Sequence, residues 1–403
     1  MQPTKPTLVY LDSCDYSALS KSHLSESEAE QLETLKALKL SGEVLFVYSG
    51  AHISEMSPLD QESSTGAVER TSLMVDLCGR NSLISFDRLM KAELSRLAAR
   101  CSQPVNALDR NGEWFPEMGS LMNPIDELDV AGKVRQEMEK HVQNRKMRRM
   151  VKSGTTNKNG RLRSDIEKRF GHADYSELIT KVPMRPRDFK VLKNYVLGQA
   201  TRVEANKAFL ESLRDPSYMV QWFIHNHQQL GPIVEWVRRP ARQLMESCEA
   251  TITELQEQLA KLPDSDRAGV IKDISGKKWK KFKQQGIIDI VNRLLTLLLP
   301  GASACNNTKD IEDYCPGLYI CINAFYDSLQ NSFKERARAM RASDFVDIVH
   351  ALYIPYVSYF RADRYMCSVI QPLVPDRFGT QVVASLGKLL TALRVQGGER
   401  SSL

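Results

Sequence analysis

No stretch of this 403-residue chain is apolar for long enough to cross a bilayer. The most apolar run, "GIIDIVNRLLTLLLPG" (286–301), is interrupted by Asp289 and Arg293 and stopped at Pro300. A spanning helix needs ~20 apolar residues, so this run reads as a buried amphipathic helix. The opening "MQPTKPT" lacks the charged-then-apolar pattern of a secretory leader. Cysteines stand at 14, 78, 101, 248, 305, 315, 321 and 367, and no two form a CxxC pair. That scatter argues against a disulfide framework and against a zinc site, and fits a reducing cytoplasm. No repeat period is visible. What remains is a cytoplasmic protein without a membrane partner, whose 42% hydrophobic and 26% charged content is that of a globular chain with a true core.

Charge is unevenly spread. Residues 1–86 carry 6 Lys+Arg against 12 Asp+Glu, and residues 340–403 carry 7 against 5. The middle, 87–339, holds the remaining 42 basic and 32 acidic residues and is net +10. A basic region attracts polyanions, although lysines and arginines on helices often serve only as a solvated face.

The first 86 residues alternate strand and helix patterns. "TLVYL" (7–11) and "EVLFVYS" (43–49) read as strands, with "NSLISF" (81–86) as a short third. Between the first two runs a helix over 25–40, opened by the capping-box pair Ser25 and Glu28 and closed by Gly42. Further helices start at "AHISEMS" and cover 67–79. Across 87–339 the strand signal vanishes and helical periodicity takes over. The α/β pattern returns after 340, with helices over 343–354, 363–373 and 385–394 and strands at 356–360 and 380–384. The expected architecture is α/β: one parallel-sheet domain built from residues 1–86 plus 340–403, split by a large all-α insertion over 87–339.

Acids recur at matching places in these strand–helix units. Asp12 follows the first strand, Glu55 lies in the helix after the second, and Asp363 follows the strand "YVSYFRA". Asp344 and Asp347 are three apart in "SDFVDIVH" and are read on one polar helix face, opposite Phe345, Ile348, Val349 and Leu352. In a parallel sheet these places share the carboxyl edge. Like charges gathered there repel unless a cation compensates, and Mg²⁺ or Mn²⁺ is the natural choice for carboxylates, water and phosphate oxygens.

The elements "LVYLDS", "HISE", "SDFVDIVHALYIPYV" and "YFRAD", in that order, resemble the PIN-like nuclease domain. The resemblance covers about 150 residues at the two ends and leaves the insertion unaddressed. It implies a PIN-like fold and metal-dependent cleavage of RNA, in some branches of DNA. By position it implies Asp12, Glu55, Asp344 and Asp363 as catalytic acids. The metal set is Asp12, Asp344, Asp347 and Asp363, with Asp347 as either a fifth acid or the true third one. Around them, Ser13, Asp15, Ser49 and His350 are read as supporting groups. His350 and His52 are read first as hydrogen-bonding residues, with metal ligation or acid catalysis as the alternative. Cys14 and Asp15 depart from the family's pattern after strand one. Arg361 and Ala362 stand where the family often has a hydroxyl, which puts catalytic competence in question.

Two basic tracts complete the reading. One is 141–169, with Arg145, Lys146, Arg148, Arg149 and Lys152; the other is "SGKKWKKFK" (275–283), with Lys277, Lys278, Lys280 and Lys281 around Trp279 and Phe282. Lysines pair with phosphates and exposed aromatics stack on bases; equally, Trp279 and Phe282, three apart, suit an anchor to the core. The leading expectation is a Mg²⁺- or Mn²⁺-dependent endoribonuclease, acting in RNA processing, as a toxin or in phage defence, with RNA preferred to DNA and a regulatory protein or a second copy as further partner. The alternatives are a degenerate sheet domain that binds nucleic acid or protein, a DNA nuclease of the same fold, and a phosphatase of the haloacid-dehalogenase type. Cys14 argues against the last, since that chemistry wants an acid two residues after the nucleophilic Asp.

Overall fold

The computed structural model describes residues 6–57, 64–115, 184–196, 199–225, short stretches between 257 and 270, 276–332 and 342–401. The tract 141–169, with Arg145, Lys146, Arg148, Arg149 and Lys152, lies outside the described residues.

Runs of β-branched and aromatic residues build the strands. They are β1 (Thr7–Tyr10), β2 (Val44–Val47), β3 (Ser82–Leu83), β4 (Leu108–Asp109), β5 (Tyr359–Arg361) and β6 (Gln381–Val383). Four of them form a fully parallel sheet in the order β2-β1-β5-β6. β1 therefore lies between a neighbour close in sequence and one from the far end of the chain. Leu8 donates its amide to Ser358 Oγ, 350 residues away. All of β1 is buried, as is β2 apart from Leu45, which is the mark of a parallel sheet covered on both faces.

The helices of this body are α1 (Ser13–Leu19), α2 (Glu26–Ser41), α3 (Gly50–Met56), α4 (Ser64–Cys78), α5 (Phe86–Ala99), α6 (Lys277–Leu298), α7 (Thr308–Tyr314), α8 (Pro316–Ser332), α9 (Ala342–Ala351), α10 (Arg364–Ile370) and α11 (Leu386–Ser401). α2 starts and stops as its sequence dictates. Ser25 and Glu28 form the reciprocal cap, and Gly42 takes the left-handed conformation (φ 74°) that ends it. No described helix is long and apolar enough to cross a membrane.

The chain divides into two compact units, 1–57 with 65–116 and 231–403, and 58–64 with 117–230. The packing thus departs from a single insertion over 87–339. Leu89 and Leu94 of α5, Ile287 and Val291 of α6 and Leu318 of α8 share one core with Tyr10, Val47 and Phe360 of the sheet. Periodicity reveals that a helix has an apolar face, not which core receives it. A strand also appears where none is expected, for β4 pairs antiparallel with β3. Two-residue strands are too short to show alternation. In the second unit, helices over Pro186–Val196, Arg202–Leu213 and Pro216–His225 are described. There the nearly buried Arg185 pairs with Asp188 at 2.5 Å and Asp215 at 3.3 Å.

Candidate functional site

Each parallel strand ends at the same edge, and β1 and β5 both hand over there to a short helix. Asp12 is the N-cap of α1: its Oδ1 accepts the Cys14 amide at 2.9 Å, and Asp15 Oδ2 accepts the Asp12 amide at 3.2 Å. Asp363 caps α10 in the same way, accepting the Met366 amide at 2.6 Å. Both acids are thus capping residues by local chemistry, and each carboxylate keeps acceptor capacity to spare.

Beside the Asp12 cap lies a cleft lined by Tyr10, Asp12, Ser13, Asp347, His350 and Arg361, among others, but not by Glu55 or Asp363, with about 270 Å³ of empty space including the part open to solvent. Asp347 comes from α9. It is half-buried and has no hydrogen-bond partner among the described residues. Burial, with the charges of Asp12, Glu55 and Asp363, pushes its carboxyl up to about 8 against the pull of His350. Charges influence one another this way only at close range, so these four acids occupy one neighbourhood. Asp344 does not line the cleft and is 1% exposed. The expected pair therefore splits: Asp347 faces the acids while Asp344 is buried in the body of the protein.

Glu55 is clamped rather than free. Ser13 Oγ donates to its Oε2, and His350 Nε2 donates to the same oxygen at 2.9 Å. Burial would raise its pKa, but the His350 charge and both hydrogen bonds outweigh that and bring it to about 2. His350 is raised in turn: burial alone would lower it, and Glu55 more than compensates. Its Nδ1 lies 2.5 Å from Tyr10 Oη, which also meets Ser49 Oγ at 2.7 Å. Tyr10 stacks on Phe360 with centroids 5.2 Å apart. The imidazole is thereby fixed at both nitrogens, by Tyr10 of β1 and Glu55 of α3. His52 belongs to a different class. Its Nδ1 accepts the Ser49 amide at 3.1 Å and its Nε2 donates to the Leu11 carbonyl at 2.9 Å. Those bonds need the neutral ring, and burial lowers its pKa to about 3. The orienting reading of both histidines fits these contacts.

Arg361 was legible in the sequence only as a missing hydroxyl. It ends β5 with its side chain 10% exposed, 3.0 Å from Asp15 and 3.7 Å from Asp12. It also donates to the Ala362 carbonyl and approaches Cys14 Sγ at 3.4 Å, while its Nε has no partner. Asp15 is buried, which raises its carboxyl to about 6 despite this guanidinium. The edge thus carries a cation of its own, Arg361 against Asp12 and Asp15, and a histidine, His350, whose pKa Glu55 raises.

The donors suit a hard divalent ion in kind, being carboxylates with one of them half-buried and unpartnered. Among the described residues no three His, Cys, Asp or Glu side chains stand close enough to cage a metal by themselves. The fit is that of an ion held by one or two carboxylates, with water and phosphate completing its shell.

Of the basic residues, Lys277, Lys280 and Lys281 are exposed at the start of α6, and Trp279 packs against the core as an anchor would. No family model, curated protein or solved structure matches the chain.

Proposed function

We propose that the protein is a metal-dependent nuclease of PIN-like architecture that cleaves RNA in preference to DNA, with Asp12 and Asp347 as the carboxylates that would hold Mg²⁺ or Mn²⁺ and Asp363 as a nearby charge. The observation that carries this reading is the unpartnered, half-buried Asp347 in a cleft shared with Asp12. A buried carboxylate without donors is costly unless a cation joins it. When bound, such an ion supplies Lewis-acid polarisation of a phosphodiester and a more acidic water. The chain's own residues do the rest. Asp12 and Asp363 are fixed by their capping bonds, so their free oxygens point from rigid strand ends. Glu55, locked by Ser13 and His350, stays ionised and presents a fixed negative charge that orients water. His350, held by Tyr10, keeps that glutamate in place and balances part of the acidic charge.

The test is incubation of labelled single- and double-stranded RNA and DNA with the protein in Mn²⁺ or in EDTA. Chelator-sensitive cleavage is expected, with a loss of about 1,000-fold or more in Asp347→Asn and Asp12→Asn. Cleavage that persists in EDTA, or equal activity in Asp347→Asn, overturns the reading.

The Arg361 pairing with Asp12 and Asp15 favours a second reading, a non-enzymatic binding module whose acids are neutralised from within. It expects no cleavage of any substrate and no Mn²⁺-induced rise in Tm.

A further inference from the structure

Helix α6 begins with lysines at 277, 278, 280 and 281, and its first turn holds no acid. Cations near a helix N-terminus are disfavoured by the macrodipole, by about 0.3–1 kcal/mol each. Helix formation alone therefore gives no reason for them. Lys283 is accounted for differently, by an ion pair with Asp327 at 2.6 Å. Lys277, Lys278 and Lys281 project from an exposed surface.

An aromatic seat lies within this basic run. Trp279, Phe282 and Tyr326 meet with ring centroids 5.4, 5.9 and 6.3 Å apart. Trp279 is anchored on the core, yet Phe282 is 57% exposed. Gly286 makes the seat: a Cβ there would lie 2.0 Å from Tyr326 Oη, so only glycine lets Tyr326 come up under the helix. Tyr326 then holds Phe282 at an interplanar angle of 89°. Lys277 with Lys281, and Lys278 with Phe282, are four apart and neighbours on the helix surface. Cations and a fixed, exposed ring thus stand side by side.

We infer that the solvent side of α6 binds single-stranded nucleic acid, with Lys277, Lys278 and Lys281 on its phosphates and Phe282 stacked on a base. Charge complementarity selects a polyanion. The ring selects an unpaired strand, because a base face is open to stacking only when the base has left its duplex. The inference deepens the nuclease reading, on which it rests for its purpose, and is measured without cleavage.

The experiment is fluorescence anisotropy of the full chain with a labelled single-stranded RNA of roughly 15 nucleotides, and its duplex, in EDTA over a salt series. The triple variant Lys277→Gln, Lys278→Gln, Lys281→Gln is expected to flatten the slope of log affinity against log salt by about 2, at roughly 0.7 per phosphate contact. Phe282→Ala is expected to weaken binding roughly 5- to 150-fold with the slope unchanged, and Phe282→Tyr to restore it. An unchanged slope in the triple variant overturns the inference, as does wild-type affinity in Phe282→Ala. Equal affinity for duplex, or binding confined to anionic vesicles or acidic peptides, overturns it too. Should Phe282→Ala melt below the assay temperature, the lysine slope decides. Cleavage in Mn²⁺ without this binding breaks only the present inference; binding in EDTA without cleavage in Mn²⁺ breaks only the nuclease reading.

Discussion

Glu93 and Asp347 are both carboxyls whose pKa burial raises, and their surroundings are opposite. Glu93, on α5, is fully buried and accepts the Gly317 and Leu318 amides at 2.7 and 2.9 Å, together with the Tyr356 hydroxyl. It caps the start of α8 from another helix, satisfying donors that the first turn leaves open. Gly317 permits the approach, since a Cβ there would lie 2.3 Å from the Leu352 carbonyl oxygen and 2.8 Å from Glu93 itself. Asp347 has none of these donors. The comparison teaches that burial of an acid does not by itself mark a site; its partner inventory does. Where the protein supplies hydrogen-bond donors the carboxylate serves the fold, and where it supplies none the carboxylate is left open to a ligand.

Substitution can break this contrast. Glu93→Ala leaves two amides and a hydroxyl unsatisfied and is expected to lower stability by about 3–5 kcal/mol, read from the urea midpoint. Asp347→Asn replaces a carboxyl that its pKa of about 8 leaves mostly protonated at neutral pH, and is expected to leave stability within about 1 kcal/mol of wild type, or above it. Equal losses from the two would end the distinction.

Arg361→Gln acts on the same contrast from the cation side. Removing a guanidinium 3.7 Å from Asp12 is expected to tighten Mn²⁺ binding by roughly 10-fold, given about 4 kcal/mol for unit charges at this range before solvent screening. Calorimetric titration reads it. Unchanged or weaker binding would mean that Arg361 does not compete for the acids.

The smallest effect is a pH dependence. Burial pushes Glu93 up to about 7, against its three donors. An acid whose folded pKa lies above its unfolded value binds its proton more tightly when folded, so its contribution to stability is present at low pH and is lost as pH rises from about 4.5 through 7. The advantage of wild type over Glu93→Gln is therefore expected to shrink across that window and level off above it, as chemical denaturation at several pH values will record.

Much of the sheet was legible. The apolar runs at 7–11 and 43–49 give β1 and β2, the Ser25–Glu28 cap and Gly42 bound α2, and Asp12 and Asp363 stand at the strand ends where they were read. The side-chain partners were less so. Asp344 and Asp347 look alike in a polar-face reading, and their sequence neighbours do not tell them apart, since Ile348 and Ala351 follow the first and Ala351 and Ile354 follow the second at the same spacings, all buried. Glu93 does carry a signal, lying midway between Leu89 and Leu97, both buried. A charge inside an apolar stripe is the readable trace of a satisfied core acid. Arg361 left no such trace, because its meaning depends on Asp12 and Asp15, which reach it through the pairing of β1 with β5.

That pairing has a consequence for synthesis. The amino-terminal acids Asp12 and Glu55 are made early, yet β1 gains its second neighbour only when β5 emerges, with 350 residues separating the paired backbone positions. At 5–20 residues per second this is a delay of about 20–70 s. A chain that has not yet reached β5 holds Asp12 and Glu55 without Asp347 and Asp363 at their side, so the cleft takes shape only once β5 has paired with β1.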